Sequence, residues 1–204
     1  MDNKKRIILV SHCIINKCSK VERTLPKERA DTFRLVEYLM KENIGIIQLP
    51  CPEMYMYGIK RWGHVKAQFD TKFFRDNSVE ILTPIIGQLT DYLKNGYEVV
   101  GVIGINGSPS CGVTKVCDGK LWGGEFEDMN IISEKVKRLN YTEGSGVFME
   151  ELMKLFEQYN IDVPFYAIEG LDVDTVINSI MHKHVTGKKA LTTASPIYDE
   201  NGKF

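Results

Sequence analysis

At 204 residues the chain is long enough to bury the core of one domain. Its hydrophobic fraction of 43% is that of an ordinary globular protein. A formal net charge of -1 offers no basic surface for nucleic acid or an anionic membrane, and no apolar run reaches membrane-spanning length.

The first twelve residues, MDNKKRIILVSH, combine a basic patch with a short apolar stretch. They lack the length and the small-residue cleavage site of a signal peptide, so a cytoplasmic protein is expected. Residues 6–11, RIILVS, suit a buried parallel strand. Residues 30–42 carry Phe33, Val36, Leu39 and Met40 at helical spacing, and Asn43 and Gly45 stand where that helix should stop. Residues 44–49, IGIIQL, read as a second strand, and 51–77 as a long irregular stretch.

A helix then runs to about Asn95, with two possible starts. Thr83 can cap it with Pro84 as first helical residue. Alternatively it begins at Asn77, with Glu80 as capping partner and Pro84 as a kink. Residues 97–105, YEVVGVIGI, form the clearest strand. Residues 147–159 form an amphipathic helix, 163–168 a fourth strand and 173–181 a last helix. The stretch around Trp122, Gly123 and Gly124 reads as a long loop.

Strand–helix alternation of this kind predicts a single α/β domain over residues 1–184, with 185–204 as a C-terminal tail. The expected architecture is three-layered and doubly wound around a mainly parallel sheet, Rossmann- or flavodoxin-like.

The chain has five cysteines, Cys13, Cys18, Cys51, Cys111 and Cys117. An odd number in a reducing compartment argues against a disulfide framework. Three of them fall just past predicted strands: Cys13 in VSHCI, Cys51 in QLPCPE and Cys111 in GINGSPSCG. The carboxyl ends of parallel strands form one rim where ligands bind. Cys13, Cys51 and Cys111 should therefore converge there, rather than pack separately as three small turn residues. Pro50 and Pro52 stiffen the backbone around Cys51, while Gly107, Pro109 and Gly112 shape that around Cys111. Three converging thiolates suit a soft metal centre. Structural zinc normally takes a fourth protein ligand, whereas a four-iron cubane with three cysteines keeps one iron open.

Ser11-His12-Cys13, Cys51-Pro52-Glu53 and Ser108-Pro109-Ser110-Cys111-Gly112, in that order, resemble the motifs of the thiouracil desulfurase family. The resemblance covers roughly the first two-thirds of the chain. The stretches after the first two motifs differ from the family's, which marks a divergent member. The resemblance implies a 4Fe–4S cluster on Cys13, Cys51 and Cys111, with one iron not ligated by protein. It implies non-redox removal of sulfur from a small thiocarbonyl substrate, such as a thio-nucleobase, with release of hydrosulfide. Glu53 is then the candidate proton carrier. Ser108 and Ser110 are candidates for hydrogen bonds to substrate or cluster sulfurs, against a plain role in forming the turn.

Two other functions compete. One is a metal-free enzyme with Cys51 or Cys111 as nucleophile and His12 or His64 as base. The other is a non-catalytic module that uses the three cysteines as a metal staple or redox sensor. Arg61 with His64 is a candidate pair for an anionic group. Tyr55, Tyr57, Trp62 and Trp122 are candidates for stacking on a flat ring.

Overall fold

Short runs of β-branched and aliphatic residues become the central strands because both sheet faces are covered. A computed structural model describes residues 5–21, 31–125, 128–170 and 172–186. In chain order it contains β1 (Arg6–Val10), α1 (His12–Ile15), a 3-10 turn (Lys17–Ser19), α2 (Thr32–Lys41), β2 (Ile44–Gln48), α3 (Pro52–Tyr57), α4 (Lys66–Phe69) and α5 (Lys72–Lys94). There follow β3 (Glu98–Ile105), β4 (Lys115–Asp118), α6 (Met129–Lys137), β5 (Asn140–Glu143), α7 (Val147–Gln158), β6 (Phe165–Ile168) and α8 (Asp174–Thr186).

Four strands form one parallel sheet in the order β2-β1-β3-β6. Alternation along β1 sends Ile7 and Leu9 to one face and Ile8 and Val10 to the other. The first face packs on Phe74, Leu82, Ile86 and Leu89 of α5 and on Phe148, Leu152 and Phe156 of α7. The second packs on Leu35 and Leu39 of α2 and on Val176 and Ile180 of α8. The sheet is thus sandwiched between helices, as alternating elements require. Strand order reverses between β1 and β3, and in open α/β sheets such a position is where ligands bind beyond the strands' carboxyl ends. No helix among the described residues is long and apolar enough to cross a membrane.

The segment from 51 to 77, expected to be irregular, instead holds α3, α4 and the start of α5. Thr71 caps α5, its hydroxyl accepting from the Phe74 amide at 3.2 Å, so neither Asn77 nor Thr83 starts the helix. Pro84 lies inside α5. The hydroxyls of Ser78 and Thr83 donate to the carbonyls of Phe74 and Val79, four residues back. Between β3 and α7 the chain adds the antiparallel pair β4–β5 and helix α6, which buries no residue. Helix α8 extends past residue 184. Of the expected tail, 187–204 lie outside the described residues.

The first turns of α7 are tied down by charge. Arg75 bonds Glu150 at 2.8 Å and Glu151 at 2.5 Å, and Lys66 also pairs with Glu150. Because α7 begins against the loop after β3, these pairs help to fix the floor of the site.

Candidate functional site at the sheet rim

Each cysteine of the trio follows its strand for a local reason. After β1 the Ser11 amide still bonds the Ile103 carbonyl of β3, at 2.9 Å. Ser11 then caps α1, its carbonyl accepting from Ile14, and Cys13 lies within that single turn. After β2, Cys51 is the N-cap of α3 and Pro52 takes the first helical position, where a missing N–H costs nothing. Gly58 ends α3 in the left-handed region, at φ 75°, and turns the chain toward Arg61.

After β3 the segment from Asn106 to Val113 doubles back on its own strand. The Ile105 amide bonds the Cys111 carbonyl at 3.0 Å, and the Gly112 amide bonds the Ser108 carbonyl at 3.0 Å. Three amides at the start of α7 close it. Val147 bonds Pro109, Met149 bonds Ser110 and Gly146 bonds Gly112. A Cβ at Gly104 would stand 2.5 Å from the Cys111 carbonyl oxygen, and one at Gly146 would overlap the Ser110 carbonyl group. Both positions permit no side chain.

Cys111 is buried, while Cys13 and Cys51 are partly exposed. Their thiols sense one another. Burial pushes Cys13 up to about 11; Lys20 pulls it down, and Cys51 and Glu53 push it further up. Burial also raises Cys51, opposed by the Met54 amide and Arg61 and reinforced by Glu53. Cys111 is held well above its ordinary value by burial first and by Cys13 next. All three are therefore protonated near neutrality, and a soft metal would bind them as thiolates and release the protons.

A polar chain crosses the three loops. Glu53 is buried; its Oε2 accepts from Arg61 Nε at 2.9 Å and its Oε1 from the Ser110 hydroxyl at 2.6 Å. The Ser110 hydroxyl also lies 3.5 Å from Cys111 Sγ. Arg61 Nη2 donates to the Ser19 carbonyl at 2.7 Å, and Nη1 to the Gly58 carbonyl at 3.3 Å. An ion pair this buried is tolerated only when its remaining donors find acceptors. Here Nε, Nη1 and Nη2 all do.

The structure thus gathers Cys13, Cys51, Cys111, Glu53 and Ser110. Ser108 serves the turn, its hydroxyl accepting from the Cys111 amide at 3.0 Å while standing 3.2 Å from Ser110 Oγ. Arg61 and His64 do not form an anion site. Arg61 is spent on Glu53, Ser19 and Gly58, and the His64 ring stacks on Tyr57 and Phe69. The His12 ring lies 3.3 Å from Asn16. Cys18 is exposed on the 3-10 turn, and Cys117 sits on β4. Tyr55, Tyr57 and Trp62 are exposed, and Trp122 donates its indole N–H to the Gly63 carbonyl.

Sequence inspection did not assign roles to Arg61 as a bridge or to Gly146 as a support. Both act through contacts made only in the fold.

Among the described residues no three His, Cys, Asp or Glu side chains stand together as ligands of one metal ion. A cubane does not need that, because each terminal cysteine binds a different iron. The donor set fits such a group. It comprises three thiols at the strand ends of one rim, with a hydroxyl beside one of them. Ser11 Oγ, two residues before Cys13, is buried without a hydrogen-bond partner. A buried hydroxyl of this kind calls for a partner, and none stands among the described residues.

No family model and no solved structure matches the chain. The uncharacterized protein MJ0003 of Methanocaldococcus jannaschii is 36% identical over 156 residues, which span 75% of this chain and 98% of that protein. The chain therefore belongs to the same family as MJ0003.

Proposed function

We propose that the chain is an iron–sulfur desulfurase. In this proposal Cys13, Cys51 and Cys111 hold a 4Fe–4S cluster with one iron not ligated by protein. The substrate is a small thiocarbonyl compound such as a thio-nucleobase, and the sulfur leaves as hydrosulfide without net redox change. The observation that carries the proposal is the placement of Cys13, Cys51 and Cys111 just past three parallel strands, with Glu53 beside Cys51 hydrogen-bonded to Ser110 beside Cys111. The strand order β2-β1-β3-β6 further supports a doubly wound, Rossmann- or flavodoxin-like arrangement. Free thiols throughout the described chain suit a reducing cytoplasm.

When bound, such a cluster supplies an open iron that acts as a Lewis acid toward the thiocarbonyl. Overall, C=S and water become C=O, hydrosulfide and a proton. One side chain must take a proton from the attacking water and later pass it on. Glu53 has that task, because a carboxylate can serve as base and then as acid. Arg61 and Ser110 fix the orientation of its two oxygens. Ser110 also places its hydroxyl beside Cys111 Sγ, where hydrogen bonding tunes a metal-bound thiolate.

A metal-free cysteine nucleophile is less well supported. It needs a depressed thiol pKa and a nearby base, whereas burial raises all three thiols and, among the described residues, neither His12 nor His64 is hydrogen-bonded to Cys51 or Cys111.

Sulfide release by the anaerobically reconstituted protein from a panel of thio-nucleobases and smaller thioamides tests the proposal. Unlike Glu53→Ala, which leaves Arg61 Nε without an acceptor, Glu53→Gln keeps the side chain's size and one oxygen for Arg61, while it removes the charge and the second accepting oxygen. It should keep its iron and lose on the order of 10²–10⁴-fold in turnover. No release by the wild type from any member of the panel would leave a cluster protein with another task.

A further inference from the structure

We propose that Arg61 is the positioning residue of this site, clamping the loop after β1 to the loop after β2 before any cluster is bound. The proposal rests on the cysteine trio being the working site, and not on the reaction carried out there. Arg61 lies outside all three cysteine motifs, yet its side chain is 3% exposed and its donors reach separate segments. Nη2 holds the Ser19 carbonyl at the end of the segment that carries Cys13. Nε holds Glu53, two residues after Cys51. Glu53 in turn accepts from Ser110, the neighbour of Cys111. One guanidinium therefore joins the first two loops directly and the third through Glu53.

The start of the Cys13 segment has its own anchor, a 3.0 Å bond from Gln48 Nε2 to the His12 carbonyl. At its end Arg61 holds the Ser19 carbonyl. Ser19 is fully buried there, so the loss of Arg61 leaves its carbonyl without that donor and the Glu53 carboxylate with the Ser110 hydroxyl but no countercharge. The planar fork of arginine can serve Ser19 and Glu53 together, whereas lysine presents a single point charge. The clamp thus presents three thiols in place, instead of leaving the loops to close around an incoming cluster.

The test alkylates the cluster-free chain with N-ethylmaleimide under anaerobic conditions and follows each cysteine by mass spectrometry. Wild type is compared with Arg61→Lys and Arg61→Gln. Cys13 and Cys51 should react about tenfold faster in both variants, the change expected when one charge-assisted bond that opposes opening is lost. Cys117 on β4 should react at its wild-type rate.

Unchanged Cys13 and Cys51 rates in a variant with native circular dichroism would overturn the clamp. Equal acceleration at Cys117, which signals general loosening, would do so too, as would full rescue by lysine. Should the variants not fold, hydrogen exchange on the cluster-free wild type decides. The Ser19 and Tyr55 amides, bonded to the Asn16 and Cys51 carbonyls, should be protected, and exchange at unstructured rates would refute the proposal. Neither measurement needs cluster or substrate, so their failure is distinct from a failure of the desulfurase proposal.

Discussion

The loop that carries Cys111 is held by backbone, whereas the one that carries Cys13 is held by side chains reaching from elsewhere. Around Cys111, amides of β3 and α7 close on the carbonyls of residues 109–112, and Gly104 and Gly146 allow the chains to touch. Around Cys13, past the Ser11 backbone bond to Ile103, the Gln48 and Arg61 side chains reach in to the His12 and Ser19 carbonyls. Backbone ties tolerate most substitutions but no added bulk. Side-chain ties tolerate bulk nearby but not the loss of one residue. The two loops should therefore fail under opposite kinds of mutation.

The largest effect is expected at Gly146. Its φ of -68° suits any residue, so Gly146→Ala acts through the overlap with Ser110 alone. It should cost about 3 kcal/mol, as overpacking does, and abolish iron uptake through Cys111. Urea melts with iron counts on the same samples measure both. Gly87→Ala is the matched control. It sits in α5 with nothing within 4 Å of a new Cβ, and should leave stability equal or raise it by up to about 1 kcal/mol. Equal costs at the two glycines would show that the Cys111 loop can yield, and the contrast between the loops would be lost.

A smaller effect follows from the Cys13 thiol. In the cluster-free fold it binds its proton more tightly than in the unfolded chain, at about 11 against 9.0. Its contribution to stability is therefore complete below pH 9.0 and is lost as pH rises toward about 11. The loss amounts to about 2 kcal/mol. Urea midpoints of wild type minus Cys13→Ser, across that range, isolate it from the lysines and tyrosines that titrate nearby. A flat difference would mean that this loop is open to water when no metal is bound.

The sheet was legible because residues 6–10, 44–48 and 98–105 are apolar runs without competing patterns. The cysteine trio was legible for the same reason, since strand ends give position along the rim. Helix α5 was read too short because Pro84 suggested a beginning. The earlier Phe74, Ser78, Leu82 and Ile86 do repeat at helical spacing, but a serine in that row and an exposed Phe73 beside it blur the stripe. Strands β4 and β5 span four residues each, too few for a clear alternation, and helix α6 buries no residue. Glu53 and Ser110 were named separately; their contact, and the place of Arg61 behind it, arise only when three loops meet.

The central claim is tested most directly by iron and inorganic sulfide bound per chain after anaerobic reconstitution. Cys13→Ala, Cys51→Ala and Cys111→Ala are measured beside Cys18→Ala and Cys117→Ala. The account predicts about four irons and four sulfides in the wild type, loss of both in the first three variants and full retention in the last two. Iron that survives the loss of Cys13, Cys51 or Cys111, or that depends on Cys18 or Cys117, would contradict it.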